Sequence, residues 1–204
     1  MEAGQVVPLA IHVDYWDYLG WKDTFGSKDH TARQAEYVKR IKGDKYFAKG
    51  SKYTPNLVID GAASCVGTDK KAAAKAIAAA LGETANIALD LAATLKDGKI
   101  KATVGAKNVT AMDYPASLVI VVAVVEDDVV VDITSGELTG KKFTYSNAVR
   151  RWAKPIDYAC EKDKRKTFEA EIAVEKEWKT LRVVAFVQDR ETMKVWQAAV
   201  VAVK

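Results

Sequence analysis

Val6-Val7-Pro8-Leu9-Ala10-Ile11-His12-Val13-Asp14-Tyr15-Trp16-Asp17-Tyr18-Leu19-Gly20-Trp21-Lys22-Asp23 begins as an apolar run and breaks into a polar-aromatic loop. A short apolar block of this kind, Val6 to Ile11, reads as a buried strand. The loop that follows gathers a histidine, the carboxylates Asp14 and Asp17, two tyrosines and two tryptophans. Loops at strand ends are where folds place function. His12, Asp14, Tyr15, Trp16, Asp17 and Trp21 are therefore candidate interface or cleft residues. The plainer alternative folds the aromatics back onto the core and leaves Asp14 and Asp17 as turn and cap residues.

Outward from this loop, Ser27-Lys28-Asp29-His30 supplies capping residues for a helix predicted over 31–42. Ala35, Val38 and Ile41 recur there at three-residue steps, and Gly43 ends the run. Tyr37 and Tyr46-Phe47 extend the same face, and residues 43–52 read as irregular. A strand is predicted over 56–60, with Gly61 turning the chain into a partner strand near Ser64-Cys65-Val66-Gly67. Thr68-Asp69 caps a helix from Lys70 to Leu81, stopped by Gly82, whose shallow apolar character places it outside a sheet. Residues 1–83 thus read strand, helix, strand, strand, helix.

From Thr84 the texture becomes β. Apolar or alternating segments run over 87–95, 100–106, 118–125, 129–133, 167–174, 181–187 and 195–203, with turn signals at Asp97-Gly98, Glu126-Asp127-Asp128, Gly136, Gly140 and Asp189-Arg190-Glu191. Short strands with such turns predict an antiparallel β-sandwich over 84–204. Asp97-Gly98 is a strong hairpin signal.

The stretch HVDYWDYLGWKD, with Thr31-Ala32-Arg33-Gln34 and Tyr53-Thr54-Pro55, resembles a thioredoxin-like family catalogued as a domain of unknown function. The segments from Gly136 to Trp152 and from Val184 to Asp189 resemble that family's second domain. The resemblance implies a thioredoxin-like fold, in which a Thr-Pro before a strand holds a cis proline beside the active site. Thr54 and Pro55 join the candidates on that ground, although an X-Pro bond read from sequence alone is trans. Family members are mostly bacterial and often carry a secretion signal, which implies a secreted, periplasmic or organellar setting. In such folds an earlier strand and helix come first, and the loop between them carries a Cys-x-x-Cys pair. This sequence has no such unit. The missing strand is a central one, so its absence leaves inner edges with unpaired amides and carbonyls. Three arrangements answer this: residues that precede Met1, a strand donated by a partner chain, or a rearranged sheet with the Val6 strand in the central place.

Composition sets the remaining bounds. The 204 residues suit one or two domains, with 49% hydrophobic and 28% charged residues, and the net charge of +4 mixes both signs. That pattern gives no footprint for nucleic acid. The longest apolar run, Ala116 to Val125, is too short to span a bilayer. The N-terminus shows no secretion pattern, so the chain reads as soluble and without an address. Cys65 and Cys160 form no Cys-x-x-Cys and no zinc spacing. They read as two buried thiols, with a long-range disulfide as the alternative. Cys65 is the candidate thiol, because Thr68-Asp69 opens a helix just after it; a small core residue is the plainer reading. His12 with Asp14 can form a base and its orienting carboxylate, and His12, Asp14 and Asp17 can hold a metal, but no nucleophile is spaced for the first and aromatics interrupt the second. Asn147, Arg150 and Arg151 can bind an anion, carry an interface, or be solvated.

The fold expected is α/β plus all-β: a partial thioredoxin-like domain over 1–83, lacking its first strand and helix, then an antiparallel β-sandwich over 84–204. The expected function is that of a redox-inactive thioredoxin-like protein serving as a binding or structural component of a protein assembly, with a protein partner able to donate a strand. The alternative is a thiol–disulfide oxidoreductase whose Cys-x-x-Cys lies on an unseen N-terminal segment or a partner chain. No cofactor, metal, nucleic-acid partner or membrane span is expected.

Overall fold

The computed structural model describes residues 6–110 and 112–204. Its first elements are α1 (Lys28–Arg40), β1 (Asn56–Ile59), β2 (Ala63–Val66) and α2 (Lys70–Leu81), with single 3-10 turns at Asp17–Leu19 and Phe47–Lys49. α1 starts earlier than its apolar spacing predicts because Ser27 caps it, the hydroxyl accepting the His30 N–H at 3.1 Å. Its buried positions include the expected Tyr37 and also His30 and Gln34, which read as polar in the sequence. α2 begins and ends as predicted, with Asp69 accepting the Ala72 N–H at 3.0 Å.

β1 and β2 form an antiparallel hairpin, Leu57 opposite Cys65. The Gly67 N–H donates to the Pro55 carbonyl at 2.8 Å. Bonded pairs alternate along an antiparallel ladder, so the backbone groups of Pro55, Leu57 and Ile59 turn toward β2. Those of Asn56, Val58 and Asp60 turn the other way. There the Asp60 carbonyl accepts the Val195 N–H at 2.7 Å. No strand pairs with Asn56 or Val58 on that side among the described residues.

The expected strand from Val6 to Ile11 is corrected. The segment makes only a bridge, Ala10 with Ala148, in which the Ala10 N–H donates to Asn147 at 2.8 Å and its carbonyl accepts from Val149 at 3.0 Å. Val7, Leu9 and Ile11 instead pack on the outer apolar face of the large sheet of the β-rich part. That face offers burial, and Pro8 has no N–H to give a ladder. The segment does not join the β1–β2 sheet, so the rearranged sheet is overturned.

The rest of the chain is β: β3 (Ile87–Lys96), β4 (Lys99–Asn108), β5 (Leu118–Asp127), β6 (Val129–Asp132), β7 (Lys142–Tyr145), β8 (Ala148–Trp152), β9 (Ile156–Asp157), β10 (Arg165–Ala173), β11 (Thr180–Asp189) and β12 (Val195–Ala202). β7, β8 and β9 were not predicted. One sheet runs β10-β4-β3 and the other β12-β11-β5-β8, with β9 also on β5; all pairs are antiparallel. Their facing sides share one core, with Ile100, Ala102 and Val104 from the first sheet and Ile120, Val122, Val124 and Val183 from the second. β5 is apolar from Leu118 to Val125 because both of its faces are covered. Its even positions enter that core, and Val119, Val121, Ala123 and Val125 enter a second cluster beneath Val7, Leu9 and Ile11.

Arg33 links α1 to this outer face. It donates to Gln188 Oε1 at 2.8 Å and to the Tyr37 hydroxyl at 3.1 Å, with its guanidinium over the Trp152 ring at 4.9 Å. Among the described residues, no helix is long and apolar enough to cross a membrane.

Candidate functional site

The aromatic loop is pinned by polar contacts, and its apolar tips are left out. The Asp17 N–H closes a turn on the Asp14 carbonyl at 3.1 Å, and Asp14 Oδ1 accepts the Thr31 hydroxyl at 2.5 Å. Tyr15 donates its hydroxyl to Gln34 Oε1 at 3.1 Å. The Trp16 indole N–H donates to the Thr54 hydroxyl at 2.9 Å. Farther along, the Ser135 hydroxyl donates to the Gly20 carbonyl at 2.5 Å. Yet Trp16 is 43% exposed, Tyr18 76% and Leu19 43%. Trp21 is half-buried.

Thr54–Pro55 is cis, as the resemblance implies. Beneath it lies a polar network that sequence reasoning missed. Gln34 Nε2 donates to the Tyr53 carbonyl at 2.8 Å. Asn56 Nδ2 donates to Ser64 Oγ at 2.7 Å, and Ser64 donates to Asp44 Oδ2 at 2.8 Å. The Tyr53 hydroxyl donates to the same oxygen, while Asp44 Oδ1 accepts the Tyr46 and Phe47 N–H groups at 2.8 and 3.1 Å. Burial alone would raise the Asp44 carboxyl. The hydrogen bonds, led by that from Tyr53, hold it below the usual range. Burial, and then the Asp44 bond, push the Tyr53 phenol up to about 12. No spacing in the sequence signals the network, because Gln34 and Asp44 stand among polar neighbours and read as solvent-facing.

His12 does not pair with Asp14. Its Nδ1 lies 2.6 Å from Asp23 Oδ2, because the loop doubles back and brings Asp23 to the imidazole. Burial pushes the Asp23 carboxyl up, but the bonds from His12 and from the Phe25 and Gly26 N–H groups outweigh it and hold the group low. Asp14 is engaged by Thr31, and Asp17 Oδ1 accepts the Asp23 N–H at 3.4 Å.

Both cysteines are free and half-buried, so the long-range disulfide is not formed. Burial, with Asp69 and Asp44 nearby, pushes the Cys65 thiol up. The carboxylate that caps α2 thereby offsets the help a helix N-terminus would give a thiolate. Burial also raises Cys160.

Set beside known proteins, residues 1–188 match the family described as "Protein of unknown function (DUF1223)". The chain belongs to this family. No curated protein matches its sequence. The crystal structure of protein AGR_C_4864 from Agrobacterium tumefaciens is similar to this DUF1223 member at 22% identity and a TM-score of 0.62, over 96% of this chain and 80% of that one. HBP35 of Porphyromonas gingivalis is similar over 62% of this chain and 44% of its own, at 17% identity and a TM-score of 0.52. At these identities the likeness concerns the fold alone.

Proposed function

We propose that this DUF1223 member is a binding component of a protein assembly, and that its recognition surface is the outer edge of β1 with the Trp16–Tyr18 loop beside it. The α1–β1–β2–α2 unit is read as the thioredoxin-like part over 1–83, and the two packed sheets as the second domain over 84–204. The observation that carries the reading is the edge. The backbone groups of Asn56 and Val58 face outward without a strand partner among the described residues, and an open edge is a template for another chain. Trp16 and Tyr18 stand exposed nearby, the residue types that dominate interface energetics. The raised thiols of Cys65 and Cys160 argue against redox chemistry by this chain alone.

The oxidoreductase alternative needs a dithiol from elsewhere, with Trp16 and Thr54 as a cleft wall. Native mass spectrometry of the protein isolated from its source, with and without reductant, separates the two. A heteromer that persists in reductant supports the assembly reading. A species carrying an additional reducible cysteine pair, or a free monomer, contradicts it.

A further inference from the structure

A second feature, sharing no residue with the β1 edge, lies at the start of α1, where a cleft of about 360 Å³ opens against β8. Arg150 stands in its wall. Its Nε donates to Glu126 Oε2 at 2.6 Å, and the other Glu126 oxygen accepts the Lys179 N–H at 2.7 Å. The counter-charge is therefore fixed on one side of the guanidinium. The terminal N–H groups of Arg150 have no hydrogen-bond partner among the described residues. The guanidinium lies over the Phe25 ring at 4.1 Å and near Trp178 at 5.5 Å. A guanidinium so restrained offers a rigid donor fork.

The helix adds its own donors. The Ser27 hydroxyl takes the His30 N–H and the Ser27 carbonyl takes that of Thr31, and the amides of Lys28 and Asp29 have no hydrogen-bond partner among the described residues at the positive end of α1. An independent observation points to a ligand. His30 is only 4% exposed and lines the same cleft. Its Nδ1 lies 2.9 Å from the His12 carbonyl, which can only accept, so Nδ1 carries the proton. Nε2 keeps its lone pair without a hydrogen-bond partner among the described residues.

We propose that this cleft binds a compact oxyanion, a carboxylate or a phosphate group, on the terminal N–H groups of Arg150 and the first amides of α1, with His30 Nε2 taking up one proton from solvent as the anion enters. The surroundings of His30 set the pH dependence. The His12 and Phe25 carbonyls face it from the preceding loop, where the charge of the His12 imidazole also opposes its protonation, Asp29 stands on its own helix, Arg150 stands on β8 and Trp152 lies edge-on at 6.2 Å. Burial holds the imidazole below its ordinary value and so neutral near pH 7 when the cleft is empty. An anion raises it, so affinity falls as pH rises. At the rim, Glu175 is paired with Arg151 at 2.9 Å, and Asp29 is the carboxylate that disfavours multiply charged ligands.

The test titrates acetate and inorganic phosphate separately into the whole chain by calorimetry, in two buffers of different ionisation enthalpy. Saturable binding with proton uptake, about tenfold weaker in Arg150→Gln, is expected. Saturation by acetate alone assigns a carboxylate ligand, and by phosphate alone a phosphoryl group. Because Arg150→Gln strands Glu126, the imidazole signals of His30 and the indole signals of Trp152 and Trp178 are followed by NMR in the unsubstituted protein. They should shift saturably together. No saturable binding by either ion, or binding that leaves the His30 signals unmoved, overturns the proposal.

Discussion

The Trp16 indole N–H donates to the Thr54 hydroxyl at 2.9 Å, joining residues 38 positions apart at the entrance to β1. The ring is thus oriented while much of it stays in solvent, and an anchor already in place loses little entropy on binding. Trp16→Ala is expected to change folding stability by no more than about 1 kcal/mol. It should weaken the partner complex by about 2 kcal/mol or more, about thirtyfold. Denaturant melts and a titration of the purified partner check the two halves. Equal affinity of the variant and the original chain would remove Trp16 from the interface.

Asp44 is the acceptor on which the network under Pro55 converges. Asp44→Asn leaves buried donors facing an amide, at a cost of about 1–3 kcal/mol. The carboxyl is lowered in the folded state, so the unfolded chain binds the proton more readily. Its contribution is complete above the unfolded value of about 3.9 and is lost as pH falls through the lower folded value. Unfolding free energies followed into acid should show a slope that Asp44→Asn reduces.

Gly61 holds the hairpin turn against the chain before β12. Its φ is +64°, and a Cβ there would lie 1.8 Å from the Met193 carbonyl oxygen. Gly61→Ala is expected to destabilise by about 2 kcal/mol or more and to loosen the contact between the Asp60 carbonyl and the Val195 N–H. Amide exchange at Val195 reads the loosening directly.

The thiols give a chemical check. Both are raised by burial, so each should react with iodoacetamide near neutral pH more slowly than free cysteine, and faster as pH rises. A fast-reacting Cys65 would contradict a thiol raised by burial.

The β half was legible where strands are long, because β4 alternates as one-sided burial demands while β5 and β11 carry apolar residues on both faces. β7, β8 and β9 were missed, since Phe143 or Val149 among polar neighbours gives too few repeats for a period of two. The Val6 segment misled for the opposite reason. Its side chains are as apolar as a strand's, but they cover a sheet face instead of pairing along an edge. The loop was visible as a cluster of aromatics, yet the partners of Trp16 and His12 depend on how the chain doubles back. Nothing in the spacing of His12 and Asp14 revealed that Asp23 would take the imidazole. Buried polar residues on α1 were missed because hydropathy counts Gln34 and His30 as solvent-facing.

The account rests on the outer edge of β1 being where a partner pairs, and amide hydrogen exchange at Asn56 and Val58 tests that most directly. It should be measured on the chain alone and on the complex isolated from its source. Fast exchange alone, with strong protection of both amides in the complex, is the predicted result. Fast exchange in both states, or protection of these amides in the chain alone, would contradict it.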